Sequence, residues 1–131
     1  MTREEKKVWL SRYRSILREI RAFTGEYEEL NTIEHRIWDP EAAHRISEIS
    51  QIVKSKVDEL VIARKDIESA VASISEPKLK EVISYRYILD YTFFDIADIM
   101  HLDLRWIHRL HVKALDKIEC NSAGGERYEV G

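Results

Sequence analysis

The stretch YTFFDIADIMHLDLRWIHRLHVKAL, residues 91–115, holds two helical patterns separated by only two or three residues. In the first, Ile96, Ala97 and Met100 fall on one side at helical spacing. In the second, Ile107, Ala114 and Leu115 do the same, and the pattern runs on to Ile118. Thr92 and Asp103 stand just ahead of the two runs, and each offers the side-chain oxygen that a helix N-cap requires. His101 and Leu102 form the turn. Helices joined so tightly must cross closely, and Ala97 is small where that crossing falls. Together these features predict a helix-turn-helix.

The second helix has an outward face of a different kind. At ~100° per residue, Arg105, Arg109 and Lys113 point away from the apolar side, with Val112 and Asp116 beside them. Trp106 and His108 flank this stripe. Arginine pairs bidentately with guanine edges, and lysine and arginine neutralise phosphates, so such a helix suits the major groove of double-stranded DNA. Arg105, Arg109 and Lys113 are the expected main contacts, and Trp106 and His108 support them. Thr92 is expected to position a phosphate at a helix N-terminus, and the end at Asp103 is a second such place. The same stripe also fits the solvated face of an ordinary amphipathic helix. Trp106 has two readings as well, stacking on a sugar at the surface or packing against the third helix, the one that begins at Pro77. His101, His108, His111 and Cys120 invite a zinc reading, but they lack the spacing of a four-ligand tetrahedral site. No metal and no cofactor are expected, and His111 reads as a partly buried helix residue.

Upstream, residues 3–38 read as one long helix. Trp9, Tyr13, Ile16, Ile20, Phe23, Tyr27 and Leu30 recur at alternating spacings of three and four, a heptad stripe interrupted by Gly25. Up to Arg21 there are seven Lys/Arg against three Glu, and from Ala22 to Glu34 four Glu and no base. The basic cluster Lys6, Lys7, Arg12, Arg14, Arg18 and Arg21 can track phosphates, bind an acidic partner or simply be solvated. Asp39 and Pro40 start a second helix that runs to about Ser73. Its stripe is Ile46, Ile49, Val53, Leu60, Ala63, Ile67, Ala70 and Ile74, with Lys56 at one heptad position. Two such helices predict an antiparallel, coiled-coil-like hairpin packing its own seam and setting a homodimer. Ser75 is a candidate cap for a third helix, with Pro77 in its first turn and its end near Asp90.

The chain has 131 residues, 44% apolar and 34% charged, which fits folded helical protein rather than disorder. Its net charge is -3, so any affinity for nucleic acid must come from a local patch. One cysteine, Cys120, excludes an internal disulfide and fits a reducing compartment. No apolar run approaches membrane-spanning length, and the first residues, MTREEKKVW, show no signal peptide. A cytoplasmic protein with no membrane partner is expected. There is no Gly-rich phosphate loop, HExxH or nucleophile elbow, so no catalytic residues and no enzyme activity are expected.

The segment EVISYRYILDYTFFDIADIMHLDLRWIHRLHVKALDKI resembles region 4 of sigma-70-type factors. The likeness rests on the YRYI helix, Thr92, DIADIM, Asp103, Ile107 and KALDKI. The whole chain also resembles a family of phage and prophage proteins of Gram-positive bacteria, through KKVWLSRYRSI near its start and IHRLHVKAL near its end. In layout these are similar to ArpU/RinA-type regulators of late phage transcription. The resemblance implies a phage or prophage transcription regulator with a sigma region 4-like DNA-binding domain. This sequence departs from the pattern at His101, where glycine is usual, and at Phe94, where a charge is usual. It is also electrically balanced, with seven Lys/Arg and seven Asp/Glu from Lys78 to Glu119.

The expected architecture is therefore all-α. A helical hairpin at 1–74 serves oligomerisation or partner binding, a three-helix DNA-binding domain spans 75–120, and a flexible tail covers 121–131. Two other readings stay open. One is a small-terminase-like phage packaging protein, although such proteins tend to carry the DNA unit first. The other is a protein-interaction module contacting RNA polymerase.

Overall fold

A computed structural model describes residues 1–120, except for the side chains of residues 34–36. The tail expected at 121–131 lies outside the described residues. Among those described the chain is all helical. It has α1 (Arg3–Arg36), α2 (Pro40–Ala72), α3 (Pro77–Tyr87), α4 (Phe93–Met100) and α5 (Leu104–Lys117). The chain divides into two compact units, residues 15–61 and residues 1–14 with 62 onward.

In the unit of residues 15–61, ion pairs set the course of the two helices. Arg45 makes a two-pronged bond to Glu26, at 2.7 and 3.0 Å, and Lys56 pairs with Glu19. The partner number falls as the other rises, so the helices run antiparallel. Lys56 thus holds its heptad position through a charge partner. Ile49 is fully buried, while Ile20, Phe23, Val53 and Leu60 are half-buried. Gly25 faces open space within α1, with nothing near a Cβ placed there.

The other unit gathers pieces of all five helices around one core. Trp9 and Leu10 come from the start of α1, and Ile67, Ala70 and Ile74 from the end of α2 and beyond. They meet Leu79, Val82, Ile83 and Tyr87 of α3, Ile96 of α4, and Ile107, Leu110, Ala114 and Leu115 of α5. The stripes of the two long helices therefore end in this core, and a seam between α1 and α2 does not use them up. Asp66 is wholly buried, and Arg12 meets it at 3.0 Å while lying 4.7 Å over the Trp9 ring.

Local signals account for most helix ends. Thr92 caps α4 by accepting from Asp95 N at 3.1 Å, and the Asp95 carboxylate accepts from Thr92 N at 3.2 Å, which completes a capping box. Asp103 caps α5 by accepting from Trp106 N at 2.8 Å. His101 takes the left-handed conformation, φ 55, in the turn. Around it Leu102 N bonds Ala97 O at 3.0 Å and His101 N bonds Asp98 O at 3.3 Å, the Schellman pattern.

Three boundaries differ from the sequence expectation. The cap position of α3 is Glu76, not Ser75, because Pro77 is already the first helical residue. Glu76 makes no side-chain cap bond, and its carboxylate turns to Lys113 at 3.4 Å and to Lys117. Helix α3 stops at Tyr87 rather than near Asp90, since Asp90 has φ 57 and cannot extend it. Helix α1 ends at Arg36, two residues short of the expected 38, just ahead of the turn that leads into Pro40.

Glycine reaches the left-handed region without crowding a Cβ. His101→Gly should therefore raise stability by about 0.5–1 kcal/mol, read as a higher midpoint in thermal or urea unfolding, with helix content unchanged.

Candidate nucleic-acid interface

Helix α5 is held from inside and from its C-terminal end. Ile107, Leu110, His111, Ala114 and Leu115 are buried. Lys6 Nζ donates to Leu115 O at 2.7 Å, satisfying a carbonyl in the last turn. Arg3 grips Asp116 through two bonds of 2.8 Å, which raises the guanidinium's proton affinity and lowers that of the carboxylate.

His111 is more deeply placed than its sequence suggested. It is 4% exposed, and its Nε2 lies 2.6 Å from Tyr87 Oη. Burial pushes the Tyr87 hydroxyl up to about 12. Burial also pushes His111 down to about 4, helped by the positive field of Lys7, Arg86, His108 and Arg14. Both groups are thus neutral and share one short hydrogen bond. Two residues far apart in sequence make this pair, so no spacing rule finds it.

The outward face carries Arg105, Trp106, His108, Arg109 and Lys113, all exposed. Trp106 is 43% exposed, which places it at the surface. Among the described residues no ion pair joins Arg105 or Arg109 to a carboxylate. Lys113 is tethered to Glu76, whose carboxyl is held below its usual value by the hydrogen bond from Lys117 and by the charge of Lys113. The His108 ring packs 4.6 Å from Phe93, so one flank of α5 adjoins the start of α4. There Thr92 spends an acceptor lone pair on its cap and keeps an O–H to donate. The start of α5 is already occupied by the Asp103 carboxylate, which opposes a phosphate at that end.

Sequence reasoning missed the residues beside this face. Arg86 stacks over Phe93 at 4.5 Å and donates to Tyr91 O at 3.0 Å. Arg14 of α1 donates to Arg86 O at 3.3 Å and pairs with Asp90 at 3.6 Å. The basic cluster in α1 was a signal for Arg14, but nothing local linked it to Arg86. Among the described residues no three His, Cys, Asp or Glu come together as a metal site. No described helix is long and apolar enough to cross a membrane.

The family model described as Sigma-70, region 4 matches residues 76–119. Those residues are α3, α4 and α5 with their turns, about a third of the chain. The C-terminal segment is thus a sigma region 4-like helix-turn-helix, a DNA-binding and RNA polymerase-interacting type of module. No curated protein and no solved structure matches the chain.

The buried histidine sets a pH dependence. In the fold it takes a proton only near pH 4, against about 6.5 when unfolded. Between those values the unfolded chain holds the extra proton, so the contribution is complete above about 6.5 and is lost as pH falls towards 4. At about 1.4 kcal/mol per pH unit, the loss is about 3 kcal/mol. Urea unfolding at pH 7 and pH 4.5 should show it. His111→Gln, which keeps an acceptor for Tyr87, should flatten that acid-side slope, and equal slopes would assign the loss to other groups.

Proposed function

We propose that the protein is a sequence-specific DNA-binding transcription regulator, encoded by a phage or prophage, that reads the major groove with α5. One observation carries this reading. The match to sigma-70 region 4 ends in a helix whose inner side is fully buried and whose outer side offers Arg105 and Arg109 free of carboxylate partners among the described residues. A reading helix must be rigidly seated and must present donors in register with base edges. Arg105 and Arg109 read bases. Lys113 meets backbone phosphate after exchanging Glu76, Trp106 and His108 pack against the sugar-phosphate walls, and the Thr92 hydroxyl donates to a phosphate. Of the hairpin expected at 1–74, residues 15–61 act as the oligomerisation arm and join two chains as a homodimer, while its two ends, 1–14 and 62–74, pack with the DNA-binding domain at 75–120. The setting is the host cytoplasm, and the protein is a binding protein without a cofactor. Phage origin is supported by the resemblance of the KKVWLSRYRSI and IHRLHVKAL segments.

One exposed side chain favours a second contact, with RNA polymerase. Phe94 is 74% exposed in the first turn of α4, where a polar residue would be expected on a solvated face. An isolated exposed aromatic fits a protein-binding anchor.

Selection from random duplexes at two salt concentrations should enrich one motif that survives the higher salt. On that motif Arg109→Ala should cost about 1–3 kcal/mol, a loss of roughly tenfold to a hundredfold. A folded Arg109→Ala protein with undiminished binding removes this residue from the interface. Phe94→Ala should leave DNA affinity unchanged and weaken co-purification with polymerase, and unchanged co-purification would exclude Phe94 as the anchor.

A further inference from the structure

The basic cluster of α1 is sorted by its contacts. Lys6 caps α5, and Arg12 is committed to buried Asp66. Lys7 and Arg14 do something else: they line a cleft of about 320 Å³ together with Ser11, Arg86, His108 and Val112. Tyr87, Phe93 and His111 form the rest of its lining. We propose that this cleft is a clamp for a DNA backbone phosphate, supplied by α1 from outside the sigma-70 region 4 match, with Lys7 as its principal cation. The proposal rests on the reading that α5 enters the major groove.

Position is the first argument. At ~100° per residue, His108 and Val112 lie on one flank of the Arg105–Arg109 face, and Lys113 lies on the other. A helix in the major groove has a sugar-phosphate strand on each side. The cleft opens on the flank that Glu76 and its two lysines leave alone.

Charge is the second argument. Lys7 and Arg14 from α1, Arg86 from α3 and His108 from α5 converge here, and the proton affinity of His111 beside them is lowered by all four. Two carboxylates also reach the group. Glu4 accepts from Lys7 Nζ at 3.0 Å, and Asp90 pairs with Arg14 at 3.6 Å. The first is an exposed pair one turn apart, which a phosphate displaces at little cost. Arg14 is anchored, since it also donates to Ser11 Oγ at 3.2 Å and to Arg86 O, so it serves as fixed positive wall. Arg86 commits one donor to Tyr91 O while stacked on Phe93, and a guanidinium has five. Lys7, on a flexible stem, is the cation able to close on the phosphate.

A phosphate contact carries no sequence information. The test is a salt series of DNA binding with wild type, Lys7→Gln and Lys7→Arg, on the selected motif and on an unrelated duplex. Circular dichroism confirms that the variants fold. Lys7→Gln should bind both duplexes about three- to tenfold more weakly, with the salt slope reduced by about one, and Lys7→Arg should retain both. If the wild type binds its motif and Lys7→Gln matches it in affinity and slope, the clamp is overturned and the α5 reading stands. A changed motif preference in Lys7→Gln would also overturn it, since Lys7 would then be reading bases. If the wild type binds no DNA, both readings fall. Inorganic phosphate that shifts the amide signals around Lys7, while Lys7→Gln binds DNA normally, would assign the cleft to a free anion and overturn the clamp.

Discussion

Ile107, Ala114 and Leu115 on α5 are completely sealed from solvent, in one core that also holds Trp9, Leu10 and Ile67. A helix of fourteen residues is marginal by itself in water, so its seating depends on the apolar face it buries. Each large aliphatic side chain buried there contributes about 1.5–3 kcal/mol. Lys6 and Arg3 add to this by holding the last turn through Leu115 O and Asp116. The orientation of Arg105 and Arg109 is thus set by side chains that touch no ligand. The start of α1 and the end of α2 belong to the same packed unit as the helix-turn-helix, although the match to sigma-70 region 4 begins only at residue 76.

Charge on this unit is selected by pairing rather than by excess. Residues 78–119 carry equal numbers of bases and acids, which would argue against an anionic partner if all were equally available. They are not. Glu76 holds Lys113 and Lys117, and Asp116 is taken by Arg3 from outside the segment. The asymmetry is local, and a net charge near zero conceals it.

The parts of the fold legible in the sequence were those governed by neighbours. Thr92, Asp103 and Pro77 work through bonds or clashes within a few residues, so their roles could be read directly, and the resemblance to sigma region 4 marked His101 as standing where glycine is usual. Asp95 completes the capping box three residues after Thr92 and follows the same short pattern. Ser75 failed as a cap because Pro77, read as merely inside the first turn, is its first residue and moves the cap to Glu76. Periodicity showed that Ala63, Ile67, Ala70 and Ile74 bury a face, but a stripe does not say what covers it. A hairpin seam and a shared core leave the same mark on α2. The Tyr87–His111 bond and the cleft beside it draw on residues from four helices, and no local spacing encodes them.

That bond also joins the core to the surface electrically. Neutral His111 lies on the buried face of α5, and a proton there would place an unpaired charge in an apolar core, which is costly. Burial is the main reason it stays neutral, and Lys7, Arg86, His108 and Arg14 around the cleft add to it. An anion in the cleft would offset their field and raise the proton affinity of His111. By linkage the converse holds, so protonating His111 would strengthen the cleft's hold on an anion by the same factor. The coupling is silent wherever His111 is neutral both with and without an anion in the cleft. A proton on His111 would therefore tighten the hold on an anion and weaken the fold at once.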